Sequence, residues 1–331
     1  MTNIAIYGFG RIGRTLLRSA YKENLFRPAA ICDIASAPQL AALLEVDSNY
    51  GRFEPVTGSD EQSISIDGQA IPYYNTREAV PDWGNLGIDL VVDCTGRATT
   101  RPNAELHLKN GAKRVLVSGP SKSKDDCDAF LLPGINLDSY DADTHQIISM
   151  ASCTTNALAP VVKVLRDTVG IKVGLFTTVH AYTNTQSLTD QPMKDRRDSW
   201  AAAENVIPSS SGAAKALKFI WEDLQITGKA YRVPVSTGSI VELNAVTEQS
   251  IDVDAIKDAF RAAAADGPLK GIMGVLEGEW ASSRIVGDPH SSIVDLPITQ
   301  SMGDNLLSVA AWYDNEAGFA MRLAETAKAV S

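Results

Sequence analysis

Asn3-Ile4-Ala5-Ile6-Tyr7-Gly8-Phe9-Gly10-Arg11-Ile12-Gly13 is the stretch that decides how the first half of this chain folds. Asn3 to Tyr7 reads as a short buried strand, and apolar positions at helical spacing from Ile12 to Lys22 read as a helix. A Gly-x-Gly-x-x-Gly turn between the two gives each glycine a task. Gly8 makes the tight turn, Gly10 lets the backbone approach a pyrophosphate, and Gly13 lets helix pack on strand. Phosphates then meet the helix N-terminus. Asp33 closes the second strand, Ala29 to Cys32, twenty residues after Gly13, where a carboxylate accepts hydrogen bonds from ribose hydroxyls. A carboxylate there repels a ribose 2′-phosphate, and Ile34 to Leu40 contain no Lys or Arg to receive one. The expected cofactor is therefore NAD rather than NADP.

Working outward from that turn, short apolar strands alternate with helical patterns. Leu40 to Leu44 reads as helix, and Leu90 to Cys94, Arg114 to Val117 and Gln146 to Met150 as strands. Such alternation implies βαβ units, hence a Rossmann-type doubly wound parallel sheet of the α/β class. Beyond Cys153 the texture changes. Val173 to Val179, Lys229 to Val233, Ser239 to Val246 and Leu306 to Trp312 are longer runs rich in branched and aromatic residues, which predicts an α+β domain on a mostly antiparallel mixed sheet. Helices are expected at Ala213 to Trp221 and Val253 to Ala264. The expected division is 1–152 and 153–315, with a last helix at about 316–331 returning to the first domain. Thr183 to Ala202 is polar, without clean periodicity and long for a connection, which points to a functional loop or subunit contact.

The 331 residues favour two domains, and 44% hydrophobic with 21% charged residues is ordinary globular composition. With 30 basic and 40 acidic residues the formal charge is −10, which argues against nucleic acid and anionic membrane surfaces as partners. No leader or membrane segment is expected, and the cytoplasm is the expected address. Cys32, Cys94, Cys127 and Cys153 form neither a C-x-x-C pair nor a compact framework, so disulfides and a metal site are both unexpected.

Cys153 stands in Ala151-Ser152-Cys153-Thr154-Thr155-Asn156-Ala157, between a strand-like run and a helical run from Ala157 to Arg166. A lone cysteine is more often structural. At a helix N-terminus, however, the dipole favours an anion, which is expected to lower the thiol pKa. His180, at the end of the Val173 to Val179 strand, supplies the base that a thiol nucleophile needs, and its imidazolium would stabilise the thiolate. Ser209 to Gly212, before a helix, makes an anion cradle or an ordinary helix cap.

Seven blocks occur in one order: Gly8 to Arg14, Ser152 to Asn156, His180 to Thr183, Ile207 to Ala214, Arg232-Val233-Pro234, Gly287 to Ser292, and Trp312 to Glu316. Together they resemble the phosphorylating glyceraldehyde-3-phosphate dehydrogenase family, over Asn3 to about Arg322. The resemblance implies a homotetramer of two-domain protomers that oxidises an aldehyde phosphate with NAD and inorganic phosphate, as in glycolysis. It implies Cys153 as nucleophile and His180 as base, through a hemithioacetal and a thioester. Arg11 and Ile12 would sit at the pyrophosphate, Gly96 and Ser118 would wall the cofactor pocket, and Asn315 would orient the nicotinamide carboxamide. Thr183 and Arg232 would line the substrate-phosphate pocket. Ser152, Thr154, Ser211 and Gly212 would serve the phosphate sites, Arg232 standing near both.

Some positions depart from the family pattern. Cys32 replaces an Asn, which suggests a missing adenine-side hydrogen bond, Ala157 a second cysteine, Trp200 an Arg, and Ala317 an aromatic. Losing a cation at Trp200 bears on which substrate is used. Erythrose-4-phosphate dehydrogenase, with the same nucleophile and base, is the alternative within the class. A catalytically idle NAD-binding paralogue with a regulatory role is the alternative outside it.

Overall fold

The glycine turn forms because its backbone angles and spacing admit little else. In the computed structural model, which describes residues 2–77 and 79–331, Gly8 has φ +91°, a left-handed conformation that side chains resist. A Cβ on Gly13 would lie 2.2 Å from the Gly8 carbonyl oxygen, so this glycine sets how closely the first helix approaches the first strand.

Two units divide the chain, one made of Met1–Ala151 and Ala320–Ser331, the other of Ser152–Phe319. The first contains β1 (Ile4–Tyr7), α1 (Arg11–Lys22), β2 (Ala30–Asp33), α2 (Ala37–Glu45), the small hairpin β3 (Val46–Asp47) and β4 (Gly51–Arg52), β5 (Thr57–Ser59), β6 (Ser63–Ile66), β7 (Gln69–Asn75), β8 (Leu90–Asp93), α3 (Arg101–Lys109), β9 (Arg114–Val117), β10 (Ala129–Phe130) and β11 (Ile147–Ser149). Its nine-stranded sheet runs β10-β11-β9-β8-β1-β2-β7-β6-β5, parallel from β10 to β7, with β6 and β5 added antiparallel. Ile4, Ala5, Ile6, Val91, Val92 and Leu116 are buried, as expected of strands covered on both faces. Strand order reverses between β1 and β8. That reversal makes the crevice above their C-terminal ends the place where such sheets take ligands.

The second unit contains α4 (Cys153–Thr168), β12 (Ile171–Ala181), β13 (Ile207–Ser210), α5 (Ala213–Ile220), β14 (Ile226–Val233), β15 (Ser239–Thr247), α6 (Val253–Ala265), β16 (Met273–Leu276), β17 (Ser292–Asp295), β18 (Gln300–Met302) and β19 (Leu306–Tyr313). The last helix, α7 (Ala317–Ala329), begins in this unit, and its residues from Ala320 onward count with the first. The sheet runs β13-β14-β12-β15-β19-β17-β16 and is mixed: β14 lies parallel to β12 and β16 to β17, the other neighbours antiparallel. Helix α4 packs on β12, β15, β17 and β19 and against α5 and α6. Along β12, Phe176, Thr178 and His180 are buried, while Val173, Leu175 and Val179 are exposed on the other face.

Two local expectations change. Ser209 and Ser210 belong to edge strand β13, and Gly212, not a serine, is the N-cap of α5 without a side-chain bond. Among the described residues no helix is long and apolar enough to cross a membrane.

Candidate active site

Register in the second unit's sheet brings the reactive side chains together. His180 on β12 pairs with Arg232 on β14, which pairs with Ile207 on β13, the strand leading to Ser211 and Gly212. Ser152 caps α4 by accepting from the Thr155 N–H at 3.1 Å, so Cys153 is the first helical residue. Its own N–H has no intrahelical partner, as at every helix start. Sγ of Cys153 lies 3.4 Å from Nε2 of His180. Nδ1 of His180 is 2.7 Å from the Ala181 carbonyl oxygen and 2.6 Å from Nη1 of Arg232, which also donates to Ala181 O at 3.2 Å.

Two electrostatic expectations meet an opposing influence here. Burial pushes the Cys153 thiol above its ordinary value, and the Arg232 charge and Thr154 contacts offset this only in part. Desolvation is the largest influence on this thiol. Burial, and then the adjacent Arg232 charge, hold His180 down at about 3, although Ala181 pulls upward. Both shifts favour the neutral thiol and the neutral imidazole over a thiolate beside an imidazolium.

Tyr313, which sequence reasoning missed, bridges the site from β19. Its hydroxyl is 3.0 Å from Thr154 Oγ1 and 2.7 Å from Thr178 Oγ1, and its ring meets His180 edge-on at 5.9 Å. The Thr154 hydroxyl is thus tied to Tyr313 and also helps lower the Cys153 thiol, as its backbone does. Thr183 Oγ1 bonds to Thr185 and Gln186, and Gln186 is anchored on Asp198, which ties down the loop that had no periodicity. Trp200 in that loop is 57% exposed, and nothing in the structure explains its replacing a cation. Asn315 accepts at Oδ1 from Gly238 N (3.2 Å) and Ser239 Oγ (2.9 Å). Asp314 beside it takes the N–H groups of Glu316 and Ala317.

In the first unit, Asp33 accepts from Phe9 N at 2.6 Å, and from Ile34 N and Ala35 N at 2.7 and 3.0 Å. The carboxylate thus holds the glycine turn as well as offering remaining lone pairs to a ribose. Cys32 packs inward among Ala5, Ala30, Trp83 and Val91, so its departure from Asn does not touch an adenine edge through the side chain. The segment Ile34 to Leu40 lacks a cation, yet Arg77 arrives from beyond β7 and donates to the Ile34 carbonyl at 3.3 Å. Forty-odd intervening residues hid that approach in the sequence. Arg11 pairs with Asp47 at 3.1 Å. Ser118 N donates to Asp93 O at 3.0 Å, and Gly96 has φ +71° in the turn after β8. Among the described residues, its chain neighbours aside, no atom lies within 4 Å of a Cβ built on Gly10, which leaves room for a pyrophosphate there, so these residues fit a dinucleotide. Among the described residues no cluster of His, Cys, Asp or Glu could hold a metal.

Comparison with known proteins gives two family matches. The glyceraldehyde 3-phosphate dehydrogenase NAD-binding domain matches residues 2–101, and the C-terminal domain of the same family matches residues 152–315. A glyceraldehyde-3-phosphate dehydrogenase of Kitasatospora aureofaciens is 46% identical over 98% of both chains. That of Priestia megaterium is 41% identical over 99% of this chain and 98% of its own, and that of Geobacillus stearothermophilus 40% identical over 98% and 96%. The chain belongs to the glyceraldehyde-3-phosphate dehydrogenase family and carries that family's NAD-binding domain.

Proposed function

We propose that this protein oxidises D-glyceraldehyde 3-phosphate with NAD and inorganic phosphate to 1,3-bisphosphoglycerate, with Cys153 as nucleophile and His180 as base. The observation that carries the reading is the 3.4 Å contact between Cys153 Sγ and His180 Nε2, beside Arg232, in a member of this family. As Sγ attacks the aldehyde carbon, the thiol proton passes to His180 Nε2 and on to the new hydroxyl, giving a hemithioacetal. The Nε2 lone pair needed for this exists when Nδ1 carries the ring proton, and the Ala181 carbonyl is placed to accept it. Arg232 competes at Nδ1, so an anion that draws the guanidinium away favours the working tautomer. His180 then takes the hydroxyl proton as the thioester forms, and the Cys153 N–H helps hold the developing oxyanion. NAD, when bound, supplies the hydride acceptor for this oxidation. Phosphate attack on the thioester releases the acyl phosphate and returns the proton to sulfur.

In this reading Gly8, Gly10, Arg11, Ile12, Gly13 and Asp33 hold the dinucleotide, Gly96 and Ser118 line its pocket, and Asn315, its oxygen already bonded, offers Nδ2 to the carboxamide. Thr183 and Arg232 take the substrate phosphate, and Ser152, Ser211 and Gly212 the inorganic one. A homotetramer in the cytoplasm belongs to the same reading, supported by the exposed apolar side chains of β12 and by four free cysteines. The test follows NADH absorbance with glyceraldehyde 3-phosphate and with erythrose 4-phosphate, each with phosphate, with arsenate and with neither. Turnover that needs phosphate or arsenate and favours the three-carbon aldehyde is expected. Preference for the four-carbon aldehyde, or no turnover with either, overturns the assignment.

A further inference from the structure

Trp83, His107 and Asp93 form a run of polar side chains in the first unit, at most 2% exposed, that the chemistry above leaves unused. The Trp83 Nε1–H donates to His107 Nδ1 at 3.1 Å. An indole N–H can only donate, so Nδ1 holds a lone pair and the ring proton sits on Nε2. Nε2 in turn donates to Asp93 Oδ2 at 3.1 Å. The other carboxylate oxygen accepts from Thr95 N at 2.8 Å and Thr95 Oγ1 at 2.6 Å. Thr95 Oγ1 accepts from Arg97 N at 3.1 Å. Asp93 is therefore a bracket, with one oxygen fixed to α3 and the other to the turn Cys94-Thr95-Gly96.

Its place in the sheet gives the bracket a purpose. Asp93 ends β8 directly beside β1, where strand order reverses and a dinucleotide is expected to bind. A Cβ on Gly8 would meet Thr95 Cγ2 at 2.7 Å and Thr95 N at 2.9 Å, so the glycine turn rests on the residue that Asp93 holds. The Tyr7 ring, next to Gly8, lies edge-on to His107 at 4.7 Å. Packing alone would favour an apolar side chain in the interior of a parallel sheet, since unpaired buried polar groups are costly.

We infer that His107 is a positioning residue for NAD: through Asp93 it fixes the Cys94–Gly96 turn against Gly8 and so shapes one wall of the cofactor crevice. The inference rests on the reading that NAD binds at Gly8 to Gly13. The test measures the NAD dissociation constant by fluorescence titration, together with melting temperature and the iodoacetamide labelling rate of Cys153. His107→Phe, which fills the space without bonding, is expected to weaken NAD at least tenfold with Cys153 labelling within twofold of native. His107→Gln, whose amide N–H can still reach Asp93, is expected to recover affinity to within about threefold. Should His107→Phe fail to fold, Asp93→Asn serves in its place and is expected to weaken NAD at least threefold. A folded His107→Phe or Asp93→Asn protein that binds NAD within twofold of native overturns the inference, as does an equal loss in His107→Gln and His107→Phe. Gly10→Val separates the two readings. If it abolishes NAD binding while the His107 variants do not, only the His107 inference fails; if it binds NAD normally, the crevice reading fails as well.

Discussion

Desolvation sets the acid–base behaviour of Cys153 and His180. With the thiol raised by burial, the thiolate is a small fraction at neutral pH and grows about tenfold per pH unit. Iodoacetamide labelling of Cys153 in the ligand-free protein should therefore climb steadily from pH 6 to 9. A plateau near neutrality would show a thiolate–imidazolium pair instead. His180 carries a linked prediction. Its pKa is about 3 when folded and near 6.5 otherwise, so below 6.5 the unfolded chain binds a proton that the native protein refuses. Stability present above pH 6.5 is lost as pH falls toward 3, with a slope approaching about 1.4 kcal/mol per pH unit from this residue. Urea titrations of native protein and His180→Gln at pH 7, 5.5 and 4.5 should show the native protein losing more. Equal slopes would refute the assignment. The sequence pairs Cys153 with His180 by motif alone; it could not show that Arg232 competes at Nδ1 or that Tyr313 backs Thr154, because these contacts come from strands far apart in the chain.

At the element scale, two short pieces of backbone carry most of the burden. Ser152 Oγ caps α4 through Thr155 N, so Ser152→Ala should cost about 1 kcal/mol by urea unfolding. An unchanged midpoint would remove the cap. Gly13→Ala is harsher, because the new methyl would meet backbone oxygen at 2.2 Å rather than a movable side chain. Helix α1 would have to shift, and loss of NAD affinity with a lowered melting temperature is expected; native affinity would contradict the packing role. Elements with strong periodicity or a glycine boundary were readable, as with Arg114–Val117 and α1. Others were not. Helix α3, nine residues with two of them buried, has too faint an apolar stripe. β5 and β6 are short and, among the described residues, pair with one another and with β7, a tertiary choice that local pattern does not encode.

The whole molecule turns on the two faces of the second unit's sheet. On one face Phe176, Thr178 and His180 of β12 are buried on the side that includes Leu243 and Val241 of β15. On the other, Val173 and Leu175 are 50% and 63% exposed, Val179 is 38% exposed, and Leu175 shares a row with Thr227 and Asn244. Apolar side chains on a broad sheet face gain about 25 cal/mol per Å² when another surface covers them, and a self-complementary face suits a second copy of the chain. Because side chains alternate along a strand, the residues that would bury subunit contacts and those that hold the catalytic pair are set by one register. Leu175→Glu puts a charge in the middle of the exposed row and leaves the inward residues in place. Light scattering should give the mass of four chains for native protein and a smaller assembly for Leu175→Glu, with NAD affinity of the first unit within twofold of native. A native monomer, or a variant still of four chains, would show that this face is not where the copies meet.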